Sequence, residues 1–289
     1  MIAFYGNGLR RFVMLPTMGL TIVAAALLPA AFSVKPGWQM FLLGIGVLDV
    51  LAGGNRTSFI GLLVLVSAIF ILKRRYITLI SSLLVVLLVA LAVNSLCRSG
   101  VISMTGPFVR VFGLFNQEIS LTTGGEGNID WRLMRWERAI KDISERPFFG
   151  YGYGGMQGYM SSLSQFRENS EEFDLERDMA TGSTHNGYLS AARAFGIPAA
   201  LLCAFILMRQ CYRHFSKAKA LFGVNPLLFE WHALIHGLLL VFLQALLFSC
   251  EIRLPDIWLY VGIGFIVFHL GTEEPDLVGN AVRKAGSAT

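Results

Sequence analysis

Residues 77 to 97 read ITLISSLLVVLLVALAVNSLC, a run without a single charged side chain. A helix needs about 20 apolar residues to cross the hydrocarbon core of a bilayer. It also satisfies every backbone N–H and C=O within itself, which lipid cannot do for an open strand. This run therefore reads as a membrane helix, and it names lipid as the solvent. Lys73, Arg74 and Arg75 stand just before it. Just after it begins the one large polar segment of the chain, from Cys97 to His185.

Working outward, further apolar windows run from Phe12 to Phe32, Gly37 to Gly53, Thr57 to Leu72, Asn186 to Met208, Phe229 to Cys250 and Ile257 to Leu270, separated by Pro, Gly or charged residues. The expected fold is all-α: a polytopic membrane protein of about seven transmembrane helices with one large, partly helical extracytoplasmic loop. Residues 1–97 would hold the N-terminal helices, 98–185 the loop, and 186–289 the C-terminal helices and a cytoplasmic tail. Composition agrees, with 54% hydrophobic and 15% charged residues, against about 25% charged in a soluble domain. The formal charge of +5 does not point to nucleic acid. The basic residues form short clusters beside apolar windows, not a stripe interleaved with aromatics. Cys97, Cys203, Cys211 and Cys250 lie far apart in or beside apolar windows, with no CxxC pair, so they read as small membrane-helix residues. The first window follows Arg10 and Arg11 and lacks a small-x-small site, so no cleavable signal is expected.

Positive residues gather on the cytoplasmic side of membrane helices. The turn at Lys73 to Arg75 and the group Arg209, Arg213, Lys217 and Lys219 agree in parity, which places the Cys97 to His185 segment and the turn at Asn55 and Arg56 outside. The tail with Arg283 and Lys284 falls inside. The large segment carries nine Lys or Arg against twelve Asp or Glu, consistent with export. Arg10 and Arg11 fall outside against the rule, as expected if helices are missing upstream.

Within the loop, Asp130 to Arg146 predicts a helix. Asn128 or Asp130 can cap it, Leu133, Trp136, Ile140 and Ile143 make an apolar stripe, and Pro147 stops it. At about 100° per residue, Arg132 lies beside that stripe and Arg138 nearly opposite, toward water. FFGYGYGG, from Phe148 to Gly155, reads as a turn, because no strand and βαβ unit accompany it as a dinucleotide site requires. An acidic polar stretch, Ser161 to Asp178, follows.

Several residues carry potential chemistry. His185 sits where the loop re-enters the membrane, with Ser183 or Thr184 as the expected cap of the helix that follows. Free N–H groups at a helix start attract anions and disfavour imidazolium, so a neutral His185 there is suited to act as a general base beside a phosphate. The alternative is an interfacial histidine bonded to a carbonyl. Arg56 stands at the outer mouth of a helix and either snorkels to headgroups or offers a forked donor to a diphosphate. Asp49, within a predicted helix, needs a partner such as Arg56 or a wet position. Glu251, Arg253 and Asp256 in the last outer turn are candidates for a pocket rim. His232 and His236 share a helix face, but a bilayer-facing or packed pair fits EWHALIH better than a metal site.

Asn55-Arg56 opening a helix, Arg132-x-x-x-Trp136 followed by Pro147-Phe-Phe-Gly150-Tyr-Gly152, and Thr184-His185-Asn186-Gly187-Tyr188 before a helix containing Gly196 resemble, in order and spacing, the O-antigen ligase and polymerase family of bacterial membrane glycosyltransferases. The resemblance runs from about Asn55 to Arg209, and with fewer helices than family members carry, the chain looks like a short member or the C-terminal part of one. It implies metal-independent transfer of a glycan from an undecaprenyl diphosphate carrier to a glycan, lipid or protein acceptor at the periplasmic face of the inner membrane. By motif, Arg56 and Arg132 match the family's diphosphate-binding arginines and His185 its catalytic histidine; no cofactor and no metal are implied. The competing classes are an anion transporter-like protein and an inactive, truncated member. Transport is disfavoured by the lack of a pair of broken helices in the sequence pattern.

Overall fold

The computed structural model of the protein describes residues 2–4, 10–12, 15–53, 55–99, 125–152, 175, 179, 184–248 and 261–268. These are helical apart from short connections, such as 146–152 and 184–186, and one small ribbon. There β1 (Ile2–Phe4) pairs antiparallel with β2 (Arg10–Phe12), Ile2 opposite Phe12 and Phe4 opposite Arg10. Apolar patterning predicts no strand here.

The helices are α1 (Leu15–Leu27), α2 (Pro29–Phe32), α3 (Pro36–Ala52), α4 (Arg56–Leu72), α5 (Tyr76–Arg98), α6 (Gly125–Glu145), α7 (Gly187–Phe195), α8 (Ile197–Leu221) and α9 (Pro226–Phe248). Residues 261–268, inside the last apolar window, are helical too. Proline opens α2, α3 and α9, where a missing N–H costs nothing because the first turn has no partner for it.

Two windows that read as single helices are broken. The first divides at Leu28, ahead of Pro29. The fifth divides at Gly196, whose φ of +86° no ordinary helix residue adopts, and α8 then runs on past Met208 to Leu221. At Gly196 backbone from the loop packs into the break, as described below.

Among the described residues, two helices are long and apolar enough to cross a membrane, Tyr76–Cys97 and Pro226–Leu247. They differ in what surrounds them: 6% of the apolar window of α5 is buried against protein, compared with 50% for α9. At about 1.5 Å per residue, the 13 residues of α1 reach roughly 20 Å, short of the hydrocarbon thickness by themselves.

The core forms around α9, with α4 on one side and α8 on the other. Contacts between α4 and α9 run in opposite directions along the two helices. Val241 lies against Gly61 and Leu65 against Gly237. At the far end the Lys73 ammonium is 3.1 Å from Glu230. The same Lys73 donates to the Leu27 carbonyl at 2.6 Å, while Glu230 accepts from the N–H groups of Ala30 and Ala31. One ion pair therefore ties the α1/α2 break to α4 and α9. Gly19 of α1 and Gly46 of α3 touch backbone to backbone: a Cβ added to Gly19 would stand 2.6 Å from the Gly46 carbonyl oxygen. Small residues of this kind allow close helix crossings in lipid.

Between α8 and α9 the histidines are packed in two neighbouring pairs. The Nδ1 atoms of His214 and His232 are 2.8 Å apart, and His236 Nδ1 lies 2.9 Å from the Cys211 carbonyl and 3.2 Å from its sulfur. Of the two alternatives for His232 and His236, packing is the one found.

Candidate active site

The site begins with α6. Its buried face comprises Arg135, Ala139, Asp142 and Ile143, flanked by half-buried Arg132 and Trp136. Leu133 and Ile140, expected on the inner stripe, are 52% and 57% exposed. The helix is thus rotated about its axis relative to its apolar pattern. The cause is a polar contact: Asp142 accepts from Nε of Arg193 on α7 at 2.6 Å, with both side chains almost completely buried. Arg193 also donates to the Met179 carbonyl. Arg138, expected to face water, stands on the flank with Nε 3.6 Å from Asp142. Arg132 keeps its expected inward position. Its Nε is buried without a hydrogen-bond partner among the described residues, and desolvation lowers its pKa.

The next segment docks on the end of α7 through its backbone. Tyr151 N–H donates to the Arg193 carbonyl at 2.9 Å, Gly152 N–H to the Ala194 carbonyl at 2.8 Å, and Ile197 N–H to the Pro147 carbonyl at 2.7 Å. The first two satisfy carbonyls that the C-terminus of α7 otherwise leaves open, and the third satisfies a free N–H at the start of α8. Gly150 and Gly196 have positive φ, and a Cβ on Gly196 would fall 2.1 Å from the Phe148 oxygen. The glycine-rich turn is therefore a structural clasp. Tyr151 closes it by donating its hydroxyl to Glu145 at 2.6 Å, which with partial burial raises the phenol pKa to about 12 and keeps it a donor.

At the other end of α7 the cap is Asn186, not Ser183 or Thr184: its side-chain oxygen accepts from the N–H groups of Tyr188 and Leu189, both at 3.1 Å. Asn186 has the extended backbone and the short side chain that a cap requires. His185 consequently precedes the cap, half-buried, with a left-handed φ of +53°. Thr184 is fully buried. Its hydroxyl bonds to the Asn186 carbonyl at 2.8 Å and lies 2.7 Å from the Ser190 hydroxyl, and its carbonyl accepts the Trp136 indole N–H at 3.1 Å. Arg132 stands one turn before Trp136 on α6.

Arg56 opens α4, capped by Asn55, whose side-chain oxygen accepts from Thr57 N–H at 3.0 Å. Gly61, a turn further on, faces Val241 and Gln244 of α9, while the Tyr188 hydroxyl donates to the Leu243 carbonyl at 3.3 Å. Arg56 and His185 thus occupy the same end of the bundle, opposite Lys73 and Glu230. Asp49 is half-buried near the end of α3, and no ion pair joins it to Arg56 among the described residues. Glu251, Arg253 and Asp256, Ser183, the acidic stretch, Cys250 and the basic tail lie outside the described residues. An apolar groove of about 350 Å³, lined by Ile60, Val64, Ser67, Phe215 and His236 among others, opens between α4, α8 and α9, and the seam residues do not line it.

Asp142 and Arg193 are the polar residues that the sequence reading missed. A signal existed for Arg193: an ionisable side chain inside an apolar window requires a partner, and the test applied to Asp49 fits it equally. Asp142, on a polar helix, carries no such mark. Over residues 40–204, more than half of the chain, the sequence matches the family described as O-antigen ligase. No curated protein matches it.

Proposed function

Because the chain belongs to the O-antigen ligase family, we propose that it transfers a glycan from an undecaprenyl diphosphate carrier to an acceptor hydroxyl during assembly of a cell-surface polysaccharide. In this proposal about seven helices span the bacterial inner membrane, residues 98–185 form the periplasmic loop between two membrane domains, and no metal takes part. The acceptor is a glycan, a lipid or a protein.

The observation that carries the reading is the bond from Trp136 to the Thr184 carbonyl, which holds the helix of Arg132 against the residue preceding His185. The chemistry fits those side chains. An unprotonated His185 takes the proton from the acceptor hydroxyl as its oxygen attacks the anomeric carbon. The bond from that carbon to the phosphate oxygen breaks, and the carrier diphosphate departs with the electron pair. Arg132 and Arg56 compensate the charge on the leaving group. A single displacement of this kind inverts the anomeric centre. Arg132 suits the role because a half-buried guanidinium, its Nε unmatched among the described residues, gains most from an anion.

The test is transfer of the host's lipid-linked glycan in membranes. His185→Ala is expected to abolish it at unchanged protein level, and full transfer by that variant sinks the assignment.

A further inference from the structure

Three described residues other than glycine have positive φ: Ser33, Arg74 and His185. Ser33 and Arg74 follow helix ends, where a left-handed residue commonly terminates a helix. His185 precedes a helix, where no such rule asks for it. A non-glycine residue in this region is strained and persists only where its surroundings over-determine it.

We infer that Trp136 is a positioning residue for His185: its indole N–H, by holding the Thr184 carbonyl, sets the left-handed backbone that aims the imidazole. Both neighbours of His185 are tied. Asn186 is held by its cap bonds to Tyr188 and Leu189, and Thr184 by Ser190 through its hydroxyl and by Trp136 through its carbonyl. Of these ties, all but one lie within residues 184–190. Trp136 is the exception, since it comes from α6, 48 residues earlier in the chain. Because Arg132 lies one turn away on that helix, docking of α6 delivers the arginine and orients the histidine in the same movement. A loop that lifts away would lose both together.

The inference rests on His185 acting as the base, so its test needs a readout independent of transfer. Carbethoxylation of His185 by diethyl pyrocarbonate, followed by peptide mass spectrometry in native membranes, supplies it. Trp136→Phe keeps the flat ring and removes the donor. Its expected effects are several-fold faster modification of His185 and a kcat about tenfold lower, with KM for the lipid-linked donor held within about twofold. If His185 in Trp136→Phe is modified at the wild-type rate, the inference is overturned whatever the transfer rate. An unchanged kcat beside an inactive His185→Ala overturns it equally. Faster modification combined with a fully active His185→Ala leaves Trp136 as the holder of His185 and removes the catalytic reading instead. Should Trp136→Phe not accumulate, Trp136→Leu, which also removes the donor, is read in the same way.

Discussion

Asp142 and Arg193 meet at 2.6 Å with both side chains almost fully out of solvent. Taking two charges out of water costs several kcal/mol each, and their attraction repays this only when the geometry is good and the remaining donors are satisfied. Here the Met179 carbonyl takes a further donor of Arg193. Asp142→Ala should destabilise the detergent-solubilised protein by about 3–5 kcal/mol, because it leaves a buried guanidinium without its carboxylate. Replacing the pair together, by Asp142→Leu with Arg193→Met, should restore most of that loss. A single variant as thermostable as wild type would remove the pair from the account of the fold. Arg132 behaves differently because its Nε is unmatched among the described residues. Arg132→Lys keeps the charge and loses the fork, so transfer should fall by about tenfold or more while thermal stability stays within about 1 kcal/mol. Equal transfer by the lysine variant would mean that a point charge suffices.

At the scale of elements, the segment from Pro147 to Gly152 decides how the loop meets the bundle. The glycines on the two sides of this contact rank by what a methyl group would strike. At Gly196 the added Cβ meets the Phe148 oxygen at 2.1 Å, at Gly150 it meets Arg193 and Ala194 backbone at 2.6 Å, and at Gly152 nothing stands within 4 Å. All three have positive φ, which costs a residue with a Cβ about 1–2 kcal/mol. Gly152→Ala should therefore lose only about that much. Gly150→Ala and Gly196→Ala should lose more, with early proteolytic cleavage near residue 150 as the readout of an undocked clasp. Equal melting temperatures across the series would contradict this ordering. The same elements explain which expectations failed. Leu133 and Ile140 form a regular apolar stripe with Trp136 and Ile143, yet α6 turns a different face inward. Periodicity reports where apolar side chains lie, and a buried ion pair with well-formed geometry outweighs it.

At the scale of the molecule, antiparallel contacts along α9 sort the chain into two ends. Arg56, Tyr188 and His185 mark one, and Lys73, Glu230 and Leu27 the other. Basic residues collect toward the second, including Arg74 over the Phe222 ring and Lys219 over Phe215, as expected of a cytoplasmic face. In a chain with its native cysteines replaced, Phe149→Cys should react with a membrane-impermeant maleimide on intact spheroplasts. Lys219→Cys should react only after the membrane is opened. Labelling of both from one side would overturn the proposed topology.

The helical class, the membrane as solvent, most helix positions and the motif order that marks the family are legible in local composition and pattern. Each of these follows from local composition: an apolar run such as Ile77 to Cys97 has one way to satisfy its backbone in lipid. Only the tertiary structure decided which face of α6 is buried, that Asn186 caps α7, that His185 is left-handed, and that Arg193 finds Asp142 on a helix some fifty residues earlier. These depend on contacts between residues distant in the chain, whose geometry no local pattern encodes. The seam where Trp136 meets Thr184 and Asp142 meets Arg193 is of that second kind, since it exists only when α6 docks beside α7.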